Sequence, residues 1–417
     1  MTRVAVGPST RVLLFTGKGG VGKTTTSAAT AVHLARAGQR VLVTSADPAH
    51  SLSDSMELDL ASDPREVEPG CWAQQLDARE RLEDSWGELR EWMLAVLNWA
   101  GVAGLEAEEL AVVPGLDELF ALIELESVVR SDRYDTVVVD CAPTAETIRL
   151  LSLPDVLSWY MDKLFPASRR VTRMVGPMLA RLTSLPVADD AVFAAGQRFY
   201  DQLEGVRRIL ADPSITSARL VMTPERMVIA EARRTYTYLS LFGYQVDGVV
   251  VNRVLPQASD DPWLAQWRDA QGVHLGEIEQ SFGSLPRFEA EHRGVEVVGL
   301  EALAGLAEHL WGPVDPSARL SDEQPLRINA DGDRVVMSID LPFAARDEID
   351  LTRNADELFV AVGPHRRNLV LPDSLRHREI LSAALDGGRL RVEFDEPRVT
   401  SPYPSSQDCV HGRSPDR

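Results

Sequence analysis

Cysteine is nearly absent from this 417-residue chain. Cys71, Cys141 and Cys409 stand far apart and form no Cys-x-x-Cys pair, which excludes a zinc knuckle and a disulfide framework. No apolar run approaches the ~20 residues that a membrane-spanning helix requires. No apolar stretch precedes Arg11, so no signal peptide is expected. Lysine is scarce beside arginine, and no long basic run occurs. With a net charge of −20, the chain lacks the basic character that nucleic-acid phosphates demand. A soluble, cytoplasmic protein that binds no nucleic acid is the expectation. What the chain does have is ordinary globular material: 44% hydrophobic residues and a length suited to two or three domains.

The most informative stretch is Gly17 to Thr25, GKGGVGKTT, directly after the apolar run Val12-Leu13-Leu14-Phe15. The frame Gly17-x-x-x-x-Gly22-Lys23-Thr24 is a P-loop after a buried strand. The backbone N–H groups of Gly17, Lys18, Gly19, Gly20, Val21, Gly22, Lys23, Thr24 and Thr25 are the candidate phosphate cradle. The helix opening near Lys23 adds the positive end of its dipole. Lys23 is expected to reach the β- and γ-phosphates, and the Thr24 hydroxyl to hold Mg²⁺. Lys18 is a second lysine that an ordinary P-loop does not need. Further apolar strands are expected at 41–45, 135–140, 219–223 and 246–252, separated by helical patterns. That alternation predicts an α/β fold with a mainly parallel sheet covered on both faces. Helical inserts are expected at about 77–130 and 154–212. The second carries Met174 and Met178 among large apolar side chains, which suits either a helical core or an adaptable binding surface.

Three more stretches could converge on the same nucleotide. Asp47, in Ser45-Ala46-Asp47-Pro48, could orient an attacking water or a magnesium-bound water; alone, Asp-Pro reads as a turn. Asp140 ends an apolar strand in the Walker-B manner and would reach Mg²⁺ through water, or it could cap a helix. Asn252 ends another strand; its amide matches the adenine edge, and its other reading is a turn residue.

These motifs together resemble the ArsA/Get family of P-loop ATPases. The likeness rests on GKGGVGKTT, SADPAHSLSD (45–54), DCAPTAETIRLLSLP (140–154) and PRFEAEHRG (286–294), and runs over roughly residues 10–310. It implies Mg-ATP hydrolysis by a homodimer that closes around two nucleotides. It further implies that Lys18 reaches across the dimer to the partner's phosphates, neutralising charge only on closure. Asp47 would position the attacking water, with Lys18 and Lys23 completing the catalytic set. Asp140 would belong to a second switch, Asn252 would contact adenine, and the loop around Pro286 would line the base. The chain departs from the family's DTAPTGHT at Cys141, Ala145 and Glu146. It also lacks the zinc-binding Cys-x-x-Cys of the eukaryotic targeting ATPase, lacks the arsenite-binding cysteine cluster of the pump ATPase, and is not a fused tandem.

After residues 1–312 the character changes. Residues 313–325 hold three prolines and read as a linker. Residues 326–396 alternate with period two: Val335, Met337, Ile339 and Leu341, then Leu390, Val392 and Phe394, which predicts an all-β sandwich. Ile339-Asp340-Leu341-Pro342, Glu357 to Val362, Leu369-Val370-Leu371-Pro372 and Asp386 to Val392 resemble the α-crystallin domain of small heat-shock proteins. The Ile-x-Ile tail motif is absent, so large assemblies are not expected; residues 397–417 are expected to be disordered. The domain could bind clients or simply stabilise the dimer. The fusion resembles a bacterial and plastid branch of Get-like ATPases. The leading expectation is therefore an ATPase that couples hydrolysis to binding and release of a hydrophobic polypeptide client, with a possible membrane-protein partner. The alternatives are an arsenite-efflux ATPase subunit, a ParA/MinD-like positioning ATPase, and a non-enzymatic holdase in which ATP only sets dimer shape.

Overall fold

The computed structural model describes residues 10–45, 51–75, 91, 94, 116–141, 190–256, 261–332 and 334–395. β1 (Arg11–Thr16) lies between β5 (Thr136–Asp140) and β6 (Thr216–Met222) and runs parallel to both. Its Val12 to Phe15 side chains are all buried, as a strand covered on both faces requires. Beyond β5 come β2 (Val41–Ser45), β4 (Cys71–Gln75) and the antiparallel edge strand β3 (Arg65–Glu68). Beyond β6 come β7 (Val246–Val254) and β8 (Arg287–Glu291), both parallel. The order is β3-β4-β2-β5-β1-β6-β7-β8. The interior strands are mainly apolar, with Arg219 and Asp247 as a buried pair, whereas the edges β3 and β8 carry exposed charge, which blunts edge pairing.

Helices cover the sheet: α1 (Lys23–Arg36), α2 (Ser51–Met56), α3 (Leu116–Arg130), α4 (Asp190–Ala211), α5 (Arg226–Phe242), α6 (Pro262–Phe282) and α7 (Leu300–Trp311). Alanines 28, 29, 31 and 35 make the buried face of α1 and let it sit close on the sheet. Of the two expected inserts, α3 and α4 are the main described parts; Met174 and Met178 lie outside the described residues. Among the described residues no helix is long and apolar enough to cross a membrane.

The carboxyl-terminal part is a sandwich. One sheet has the order β14 (Ile380–Asp386), β15 (Arg389–Phe394), β10 (Arg334–Asp340), β9 (Leu326–Asp331), and the other has β11 (Ile349–Asn354), β12 (Glu357–Val362), β13 (His365–Val370). Every strand pair is antiparallel. Met337, Ile339 and Leu341 face Leu390, Val392, Phe394, Leu358 and Val360 in one core, so the period-two pattern marks the inward faces. Leu241 of α5 belongs to that same core.

Residues 313–325 are pinned under the amino ends of the parallel strands. Arg219 of β6 is fully buried; it pairs with Asp247 at 3.4 Å and donates to Pro316 O at 2.5 Å. Its guanidinium also lies 5.0 Å from the Trp311 ring centre. Burial lowers the Arg219 pKa, and Asp247 opposes that shift. Asp247 accepts from Leu320 N at 3.1 Å, and Gln245 donates to Ser321 O at 2.6 Å and Glu323 O at 2.8 Å. Arg11 donates to Ser317 O at 3.1 Å. The segment read as a linker is thus a fixed strap. It leads the sandwich to the carboxyl-terminal end of α5, where Arg367 donates to Leu241 O at 2.6 Å and His365 packs on Tyr238 with ring centres 4.2 Å apart. Because α5 runs back along the sheet, this docking site is at the sheet end opposite the glycine-rich loop.

Candidate functional site

The glycine-rich loop leaves β1 at Thr16 and enters α1 at Lys23. Two of its glycines are demanded by neighbours. A Cβ on Gly17 would lie 2.1 Å from Val221 O, and one on Gly22 would lie 2.2 Å from Asn252 Nδ2. Gly22 also has φ of 96°, a left-handed conformation that glycine adopts at no steric cost. Strands β6 and β7 therefore press on the loop from below and leave room only for backbone.

Lys23 is buried, and among the described residues its ammonium donates only to Lys18 O, at a long 3.4 Å. Such a group retains donor capacity for an anion. The Thr24 hydroxyl donates to Asp140 Oδ2 at 2.7 Å, and the Ser45 hydroxyl donates to the same oxygen at 3.1 Å. Ser45 and Asp140 face each other in register across β2 and β5. Among the described residues no cluster of three His, Cys, Asp or Glu could hold a metal by itself. Thr24 and Asp140 supply hard oxygen donors of the kind Mg²⁺ takes when phosphates and water complete its shell.

Two adjoining clefts open over the loop. The smaller, about 330 Å³, is lined by Gly19 to Thr25 without Val21, by Ser51, Asp54 and Ser55 of α2, and by Arg253. The larger, about 460 Å³, shares Gly22, Thr25 and Arg253 and continues over Asn252 and residues 291–298. Arg293 donates to Gly305 O at 2.8 Å, which ties that segment to α7. A phosphate cradle beside a larger chamber is the shape a nucleotide needs, terminal phosphates at one end and base at the other.

The expected residues fall into place unequally. Gly17 to Thr25, Asp140 and Asn252 meet at one end of the sheet. Asp47 lies outside the described residues; Ser45 before it and α2 after it both border the site. Lys18 is half-buried, makes no side-chain hydrogen bond or ion pair among the described residues, and does not line its own cleft. Asn252 donates to Val21 O at 2.9 Å and accepts from Arg253 N at 2.9 Å, so its amide holds the loop. Pro286 is not brought to the clefts. Its carbonyl accepts from Val249 N, at the amino end of β8, three residues below Asn252 on β7. The later half of the 286–294 motif lines the chamber instead, because only that half follows the strand's carboxyl end. Asp54, Arg253 and residues 295–298 were not singled out by sequence; Asp54 closes the 45–54 motif, and nothing local marks Arg253.

Cys141 follows Asp140 into the core. Burial, with the Asp140 charge next, pushes its thiol up to about 12 against a smaller opposing effect of Lys23. Cys71 on β4 is pushed up to about 12 mainly by burial. A thiol reacts as its thiolate, so both should resist iodoacetamide at pH 8 in the native protein. Peptide mapping should find Cys71 and Cys141 alkylated only after denaturation; native labelling of Cys141 would contradict this placement.

A glycine-rich loop on the central strand of a parallel sheet, a lysine opening the next helix, and a threonine bonded to the carboxylate of the neighbouring strand define a P-loop nucleoside triphosphatase. The family described as anion-transporting ATPase matches residues 10–312, and an HSP20-like domain found in ArsA matches residues 332–394. The chain belongs to this ArsA family and is an ATPase with an HSP20-like carboxyl-terminal domain. It is 38% identical over 390 residues to a protein of Chlorobaculum tepidum named, provisionally, an arsenical pump-driving ATPase; the match covers 92% of this chain and 96% of that one. A second such provisionally named protein, from Aquifex aeolicus, is 31% identical over 72% of this chain and 99% of its own length. The ATPase get3 of Sclerotinia sclerotiorum is 29% identical over 74% of this chain and 92% of its own.

Proposed function

We propose that this ATPase works as a homodimer on Mg-ATP and couples hydrolysis to binding and release of an apolar polypeptide client. Thr24 would hold Mg²⁺ and Asp140 would reach it through water, while Lys23 takes the terminal phosphates and Asp47 positions the attacking water. The observation that carries the dimer is Lys18: a cation in the loop that does not line its own cleft. Exposed Met227, Trp263, Trp267, Val295 and Val298 support it, since all follow the carboxyl ends of β6, β7 and β8, the end that holds the loop. Likeness to a get3 ATPase and the methionine-bearing 154–212 segment support the client. A protein-targeting role with a membrane-protein partner and a cytoplasmic setting belong to this reading.

Complementation tests the dimer. Lys18→Ala and Lys23→Ala should each be nearly inactive alone. Mixed one to one, they should regain about a quarter of wild-type activity, because half the dimers are mixed and each has one competent site. No recovery would place Lys18 in its own subunit's site. For the client, photo-crosslinkers at Met174 or Met178 in Asp47→Asn protein with ATP should capture apolar polypeptide segments, and capture of nothing in any nucleotide state would overturn it.

The names of several relatives favour a second reading, an arsenical-pump ATPase. As(III) demands soft thiolate ligands, yet Cys71 on β4 and Cys141 just after β5 are both buried, with thiols held protonated. Strong stimulation of ATPase activity by arsenite would establish this reading over the first.

A further inference from the structure

The ladder between β7 and β8 slips between Val251 and Val254, so Asn252 and Arg253 form a bulge at the rim of the clefts. Arg253 takes φ of 59°, a left-handed conformation that is strained for a side chain of its size. The strain is held in place from several sides. Gln271 of α6 donates to Arg253 O at 3.1 Å and accepts from Leu255 N at 2.7 Å, while Asn252 Oδ1 accepts from Arg253 N at 2.9 Å. The bulge thus aims Arg253 to the site side while Asn252 pins the loop.

What the guanidinium meets there is an open site. Arg253 borders both clefts, is exposed, and makes no side-chain hydrogen bond or ion pair among the described residues. Asp54, Glu291 and Glu296 share those clefts, yet none is within ion-pair distance of it. In a chain with 63 acidic and 43 Lys or Arg residues, carboxylate partners are in surplus. A strained arginine held without one, on the boundary between a phosphate cradle and a larger chamber, suits an anionic ligand. Its planar fork binds phosphate oxygens in pairs, which lysine cannot do.

We propose that Arg253 is a nucleotide-binding residue whose guanidinium takes the α-phosphate and ribose side of ATP and ADP. The proposal rests on reading the two clefts as the nucleotide site. Lys23 and the loop amides hold the terminal phosphates, residues 291–298 border the base, and Arg253 spans the join between them. Its partner group is present in both substrate and product, so it contributes to binding each alike and does not favour hydrolysis.

Arg253→Gly separates ligand contact from backbone strain, because glycine keeps the left-handed turn and loses only the guanidinium. Arg253→Asn, another residue tolerant of that turn, is the companion variant. In calorimetric titrations of the full chain, the Kd for ATP and the Kd for ADP should rise together by about 10- to 100-fold, as loss of charge-assisted hydrogen bonds predicts. The unfolding temperature without nucleotide should not fall. Affinities within about twofold of wild type for both nucleotides would overturn the proposal. So would a loss confined to ATP, which places the guanidinium on the γ-phosphate. Lys23→Ala is titrated alongside. A wild-type protein binding ATP no better than Lys23→Ala would remove the nucleotide reading of the clefts, and the proposal with it. Normal wild-type binding with unaffected Arg253 variants would remove the proposal alone.

Discussion

Replacing Lys23 by alanine should lower ATP turnover about 100- to 1,000-fold, the usual effect of losing one preorganised donor to developing charge. The fold should not suffer. Lys23 is 6% exposed, and among the described residues its ammonium makes one hydrogen bond, the long contact to Lys18 O. A buried cation with so little to hold it adds little to the stability of the nucleotide-free protein and can even oppose it. The unfolding temperature of Lys23→Ala without nucleotide should therefore equal or exceed that of wild type, while phosphate release collapses. Turnover within about tenfold of wild type would mean that the loop holds phosphate through its amides alone.

Arg219→Ala should be the most damaging substitution away from the site. It strips the buried Asp247 of its cationic partner and removes the donor to Pro316 O. Breaking a buried pair by removing one partner costs about 3–5 kcal/mol. Asp247 also accepts from Leu320 N, so the loss falls on the strap at 313–325 as well as on the sheet. The expected result is an unfolding transition lowered by about that free energy, with new protease cleavage within 313–325. Replacing both members of the pair by apolar residues should recover much of the stability, since two uncharged groups carry no desolvation penalty. A single Arg219→Ala variant as stable as wild type, with an uncut strap, would show that the sandwich holds its place through Arg367, His365 and Leu241 alone.

The parts of this fold that were legible in sequence are those in which local composition and burial agree. β1, β2, β5 and β7 each hold a buried apolar run, the usual composition of a strand covered on both faces. The sandwich strands β10 and β15 were legible by alternation, because one face meets a core and the other meets water. β3 and β8 were not, since charged edge strands look like loops in sequence. β4 was missed because two of its five residues, Gln74 and Gln75, are polar yet buried; the Gln74 amide donates to Thr44 across the sheet at 3.2 Å. The strap reads in sequence only as a linker because its prolines are local, while the side chains that hold it, Arg11, Arg219, Gln245 and Asp247, sit on or beside strands far away in sequence.

The sequence alone determined the nucleotide chemistry, since a P-loop is a local device: glycines, lysine and threonine lie within nine residues, and backbone N–H groups do the work. It likewise determined the two-part composition and the family. Only the tertiary structure decided which other residues share that site. Pro286 and the residues lining the chamber belong to one motif, yet the first sits at the amino end of β8 and the others follow its carboxyl end. Arg253 owes its place to a bulge that no local pattern announces. The docking of the HSP20-like domain at the sheet end opposite the loop was also invisible, because it depends on α5 running back along the sheet and on an arginine from β13 meeting its Leu241 carbonyl. These decisions rest on contacts between residues distant in the chain, and such contacts leave no trace in composition, spacing or period.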